Sequence, residues 1–146
     1  DEDGLLVGIG SLLLQENAGD ETVDGNMFVP VDLVAPILDD LVRTGRSAEA
    51  PRPWLGVYTA DREGRLVVNG LAAGGPAERA GVQPGDLVVA VGAERVASLA
   101  DFFRQMWRLG PAGTAIPLTL ARGGAPIYVR VLSGDRNEFL RKPSLQ

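Results

Sequence analysis

The stretch Gly45-Arg46-Ser47-Ala48-Glu49-Ala50-Pro51-Arg52-Pro53 is made of small, polar and proline residues, and no continuous helix or strand is expected to run through such a segment. It marks a boundary between two modules of the 146-residue chain. Charge changes at the same place. Residues 1–50 carry eleven acidic and two basic side chains, whereas residues 51–146 carry eight acidic and twelve basic ones. The net charge of −5 disfavours non-specific binding to nucleic acid or to an anionic membrane. Neither part shows a repeat of solenoid period or a low-complexity tract.

Histidine and cysteine are both absent. No Ser-His-Asp triad, Cys-His pair or histidine-based zinc site can therefore be assembled from these residues. No catalytic residue, cofactor or metal ligand is assigned, and a disulfide framework is excluded. A membrane-spanning helix needs about 18 to 20 consecutive apolar residues. The longest apolar run, Leu5 to Leu14, is shorter and is interrupted by Gly8, Gly10 and Ser11. It follows Asp1, Glu2 and Asp3, whereas a signal peptide opens with positive charge. The abrupt start without methionine reads as a processed form or an excised piece.

In the first part, Leu5 to Gln15 is of strand length, and its continuous apolar character implies cover on both faces. Glu16 to Gly25 reads as an acidic surface loop. Met27-Phe28-Val29 is a short strand ended by Pro30. Asp32 is placed to cap a helix whose apolar stripe is Leu33, Ile37 and Leu41 with Val34 and Leu38. Arg43 suits its last turn and Gly45 its left-handed terminator. Two strands and one helix cannot bury so much apolar surface. The missing cover comes from the second part, from another copy of the chain, or from sequence that would precede Asp1. An uncovered Leu5–Leu14 strand would promote self-association.

The second part reads as a small, mostly β module. Strands are expected over Trp54–Ala60, Leu66–Asn69, Leu87–Val91, Ala115–Arg122 and Ala125–Leu132, the last two joined at Gly123-Gly124. Pro76 to Ala80 is a short helix with proline first and Gly81 as its cap. A second helix, Leu99 to Leu109, is marked by Ser98 and Asp101 at capping-box spacing and by Gly110-Pro111 at its end. Its apolar stripe is Leu99, Phe102, Phe103 and Met106. The first two are expected in the core, while Phe103 and Met106 suit either core or groove.

Gly75-Pro76-Ala77-Glu78-Arg79-Ala80-Gly81-Val82-Gln83-Pro84-Gly85-Asp86-Leu87-Val88-Val89-Ala90-Val91 is similar to the signature of PDZ domains. Gly75 stands where serine is common, and Gly92-Ala93 where asparagine-glycine is common. Trp54-Leu55-Gly56-Val57 resembles the carboxylate-binding loop of that family, and its position at the start of the module is that of the bacterial, permuted arrangement. Leu5 to Ser11 and Asn26 to Leu33 resemble the final strands and helix of the trypsin-like domain in HtrA-type (Deg) serine proteases, which lead into a PDZ domain. The nucleophile motif, histidine and aspartate of those proteases are not in this sequence.

The resemblance implies an α+β, mainly β architecture with two or three helices. A permuted PDZ domain at residues 54–134 would follow a protease remnant at 1–45 and a linker at 46–53, and precede a tail at 135–146. It implies capture of C-termini or exposed apolar segments of unfolded proteins, with Leu55, Gly56 and Val57 holding the carboxylate and Trp54, Tyr58, Phe103 and Met106 lining the groove. A glycine lets successive N–H groups turn toward one anion. The parent would be a homo-oligomeric serine endopeptidase, exported, periplasmic or membrane-tethered. A non-proteolytic adaptor or pseudoprotease scaffold is the alternative.

Other features have plainer readings. Gly8-Ile9-Gly10 lacks the third glycine of a dinucleotide fingerprint and is assigned to strand packing. Asp39 and Asp40 lie on the polar face of a helix, and the acidic loop does not have EF-hand spacing. Asp86 is read as a turn former. Arg79, Arg95, Arg104 and Arg108 are read as a solvated basic surface.

Overall fold

The computed structural model describes residues 2–18, 21–62 and 64–139, with backbone only for 11–18 and 21–26. The chain divides into two compact units, Asp1–Glu49 and Ala50–Gln146. It is mainly β, with a few short helices.

The first unit is a hairpin followed by short helical turns. Strand β1 (Gly8–Ala18) pairs antiparallel with β2 (Glu21–Pro30) from Gly8↔Pro30 to Ala18↔Glu21, with an irregularity between Gly10 and Leu12. This corrects the acidic loop expected over Glu16–Gly25. Its described residues are in the ladder, because backbone pairing satisfies their amides and carbonyls whatever their side-chain charge. Residues 19 and 20 lie outside the described residues. The helix also begins later than its apolar stripe predicts. Val31–Leu33 and Ala35–Ile37 are 3-10 turns, and α1 runs only over Leu38–Thr44. Pro36 accounts for the break, since it lacks an N–H and its ring disfavours helical geometry at Ala35. Asp32 therefore caps no α-helix, and no side chain caps α1. Gly45 does end it, at φ +74°, with its N–H donated to the Leu41 carbonyl.

Within the first unit, the side chains described for the apolar run find no cover. Leu5, Leu6, Val7, Ile9 and Phe28 are all exposed, as are Leu33, Leu38 and Val42. The two-stranded ladder satisfies backbone groups without burying these side chains.

The second unit is built on one antiparallel sheet. Its strands are β3 (Val57–Arg62), β4 (Arg65–Leu71), β5 (Leu87–Val91), β6 (Glu94–Arg95), β7 (Ala115–Arg122) and β8 (Ala125–Leu132). The order is β3-β4-β5-β7-β8, with β6 paired to β5. Strand β3 is thus an edge. Alternation decides the buried face: Leu66 and Val68 on β4, and Ile116, Leu118 and Leu120 on β7, point into the core. Helix α2 (Pro76–Arg79) adds Ala77, and α3 (Leu99–Arg108) adds Phe102 and Met106 four residues apart. Ser98 caps α3, its hydroxyl accepting the Asp101 N–H at 3.1 Å. Leu99, expected in the core, is exposed instead. It shares the face of Phe102 and Met106 but is the first residue of α3, at the exposed end of the helix.

The unit extends beyond the five expected strands and two helices. Pro53 is buried, and the Pro51 carbonyl accepts the Ala112 N–H at 2.8 Å. After β8, a short helix α4 (Arg136–Phe139) follows Gly134. Gly134 and Trp54 exchange two backbone hydrogen bonds of 2.9 and 3.0 Å. The first and last segments of the unit are thereby joined.

Asp86 is fully buried. Its carboxylate accepts Arg122 Nε at 2.7 Å and Nη2 at 2.8 Å, and the Gln83 N–H at 2.8 Å. Arg122 Nη2 also donates to the Gly81 carbonyl at 2.9 Å. The Arg122 hydrogen bond holds the Asp86 carboxyl below its ordinary pKa, against the opposing effect of burial. Asp86 is thus more than a turn former. A depressed folded-state value means that its contribution is complete above the unfolded value of about 3.9 and is lost as pH falls below it. Asp86→Asn should lower Tm at pH 7, by on the order of 5 °C, with the gap to wild type narrowing below pH 4. Thermal melts across pH 2–7 check this, and a gap independent of pH would contradict it.

Candidate functional site: a groove beside the edge strand

One open cavity of about 500 Å³ brings together Trp54, Leu55, Gly56, Val57, Tyr58, Phe103 and Met106. Strand β3 and the residues before it form one wall, and α3 forms the other. Ala72, Ala73, Phe102, Arg136 and Phe139 complete the lining. Leu55 and Met106 are buried and belong to the core as well as to the cavity wall. Phe103 is half-buried, stacked edge-on to Phe102 with centroids 5.4 Å apart. Tyr58 is mostly exposed.

The backbone turn at Leu55-Gly56-Val57 follows from where its carbonyls go. The Trp54 carbonyl accepts from Gly134, the Leu55 carbonyl from Ala77 at 2.9 Å, and the Gly56 carbonyl from Ala72 at 2.8 Å. In a trans peptide the N–H points opposite to the preceding carbonyl. The amides of Leu55, Gly56 and Val57 are therefore each turned away from a contact inside the unit. Among the described residues, no acceptor is recorded for the N–H of Leu55 or of Gly56. Both residues line the open cavity, so an acceptor for these N–H groups can come from a ligand.

Gly56 has φ +73°, in the left-handed region. A Cβ there would lie 3.0 Å from Trp54 Cη2 and 3.1 Å from the Ala72 Cβ. Trp54 is itself held by Phe139, whose ring centroid is 4.7 Å away. The indole is thus a fixed part of the wall of this unit.

Four lining residues escaped the sequence reading. Ala72 and Ala73 are small and carry no signal of their own. Arg136 and Phe139 fall in a segment read as a tail. The usable clue was Asp135, whose carboxylate accepts the Asn137 N–H at 2.9 Å and which opens α4 as a turn former would. Arg79, Arg95, Arg104 and Arg108 are all exposed and outside the cavity lining. Among the described residues there is no cluster of acidic side chains suited to a metal ion.

A family model for the PDZ domain matches residues 53–132, more than half of the chain. The chain belongs to the PDZ domain family. Beyond the PDZ unit, it is 28% identical to the probable periplasmic serine endoprotease DegP-like of Rhizobium meliloti, over 97% of this chain and 29% of that protein. It is also 28% identical to the serine endoprotease DegS of Escherichia coli, over 88% of this chain and 39% of that protein. The chain therefore spans less than half the length of these relatives, and its homology reaches upstream of the PDZ unit. Among solved structures, the HtrA-type protease AlgW with a decapeptide superimposes with a TM-score of 0.59 at 24% identity, covering 98% of this chain and 44% of that one. That likeness shows the fold.

Gly56→Ala should destabilise the PDZ unit by about 1 to 2 kcal/mol through the left-handed backbone penalty, with crowding against Trp54 added. Urea denaturation read by tryptophan fluorescence measures it. An unchanged midpoint would mean that this turn relaxes freely.

Proposed function

We propose that the groove captures the C-terminal end of a polypeptide, with its carboxylate on the Leu55, Gly56 and Val57 amides. The observation that carries this reading is the pair of amides at Leu55 and Gly56, which line the groove and have no protein acceptor among the described residues. A carboxylate is the acceptor that can take several N–H donors at one point. The preceding ligand residues add as a strand along the free edge of β3, and the terminal apolar side chain enters between Leu55, Phe103 and Met106. Trp54 and Tyr58 border the same groove. The AlgW structure, a chain of the same fold, is one with a decapeptide.

Each hydrogen bond to the carboxylate contributes about 1.5 to 3 kcal/mol, and burial of the terminal side chain about as much again. Ordering costs offset much of that, so affinity in the micromolar range is expected.

Homology to serine endoproteases on both sides of the unit boundary supports a parent protein of that class, exported as the periplasmic relatives are. In it, residues 1–45 are the end of the protease domain and 46–53 the connection to a PDZ domain over 54–134. The histidine and the nucleophile motif of such a protease would be contributed by sequence outside these residues. In the whole protein the exposed row Leu5, Leu6, Val7 and Ile9 is covered by the rest of a barrel. In the isolated chain the same row drives self-association.

A peptide ending in a free apolar residue should bind the PDZ unit, and amidation of its terminus should weaken binding about tenfold to a hundredfold. Isothermal titration of the two forms decides this, and equal affinity would reject the carboxylate assignment. The isolated chain should not hydrolyse unfolded casein. Turnover by a contaminant-free preparation would refute that.

A further inference from the structure

The helix after the last strand places one charged side chain in the groove. Arg136 lines the same cavity as Leu55 and Gly56. Its position along the groove is fixed by the backbone. Gly134, two residues before Arg136, exchanges hydrogen bonds with Trp54, the residue before Leu55. Phe139, on the same short helix, stacks on the Trp54 indole at 4.7 Å. A Cβ at Gly134 would lie 2.8 Å from the Phe139 ring, so the helix sits tightly against its own origin. These contacts hold α4 at the Trp54 end of the groove, where the amide turn is. The far end, toward Arg62, is where upstream ligand residues would run.

Among the described residues, no hydrogen bond or ion pair is recorded for the Arg136 side chain. The guanidinium is exposed and available to an anion. A carboxylate on two backbone amides still has lone pairs free, and a guanidinium fork suits them. We infer that Arg136 is a specificity-determining residue, the charge partner of the ligand's terminal carboxylate. This rests on the reading of the groove as a C-terminus site. It assigns to the segment after the PDZ strands a direct part in recognition. It also favours free C-termini over internal segments, which offer no anion at that point.

The test uses an N-acetylated peptide of neutral residues ending in free valine, so that the terminal carboxylate is its only charge. Wild type, Arg136→Gln and Arg136→Lys are titrated with it at 20 and 500 mM sodium chloride. For wild type, affinity should fall with salt. Arg136→Gln should bind about three- to fivefold more weakly at low salt and lose most of the salt dependence, as expected for an exposed ion pair. Arg136→Lys should retain the salt dependence. Unchanged affinity and salt slope in Arg136→Gln would overturn the inference. Weaker binding with the wild-type slope would overturn it too, since that pattern belongs to a packing role. The amidated peptide separates the two levels: if it binds wild type as well as the free acid does, the carboxylate reading fails. If only the free acid binds and Arg136→Gln matches wild type, the Arg136 assignment alone fails.

Discussion

A carboxylate with no exposure to solvent survives ionised only if it is paired with a charge and hydrogen-bonded, and Asp86 meets that condition through the Arg122 fork and the Gln83 amide. The fork ties the turn before β5 to the far end of β7, thirty-six residues later. The same turn is stitched to β4, with Gly85 donating to Val68 and Val68 donating back to the Asp86 carbonyl, each at 2.8 Å. Helix α2 leads into this turn through Gly81, whose carbonyl Arg122 also engages. Ala77 of α2 donates its N–H to the Leu55 carbonyl. A chain of hydrogen bonds thus runs from a buried ion pair to the peptide plane that aims the Gly56 amide into the groove.

The parts of this architecture that were legible in the sequence are those decided locally. Gly123-Gly124 between two alternating runs fixed a hairpin whose strands are Ala115–Arg122 and Ala125–Leu132. Ser98 and Asp101 fixed the start of α3. What was not legible depends on partners distant in sequence. Nothing near Asp86 announces that Arg122 will meet it. The hairpin of the first unit was obscured because its acidic composition resembles that of a loop, whereas the ladder is held by backbone groups that composition does not report. The break at Pro36 is hidden by a regular apolar stripe, because a proline in the first turn of a helix is ordinarily tolerated.

The groove was legible in outline for a different reason. Its amide turn needs a glycine at positive φ, and its walls need apolar residues at fixed offsets from recognisable turns. Helix α3 shows the limit of that reasoning. Phe102 and Met106 share a face and enter the core, while Phe103, about 100° further round the helix, is half-buried against the groove. Leu55 and Met106 serve both core and groove, so truncating either one alters the packing and the groove wall together. Arg136 is free of that coupling, because it contributes to the cavity lining without belonging to the core.

The paired strand ends at Trp54 and Gly134 give the unit a particular kind of doorway. The polypeptide enters and leaves through adjacent hydrogen-bonded residues, and the amide turn begins one residue inside the entrance. Outside this bridge the Pro51 carbonyl also accepts the Ala112 N–H, and the Leu55 amide shares a peptide plane with the bridged Trp54 carbonyl. The sheet and its buried ion pair stand behind this doorway as an anchor. A pull on the flanking polypeptide and a ligand held as proposed would therefore meet at the Trp54–Leu55 peptide plane.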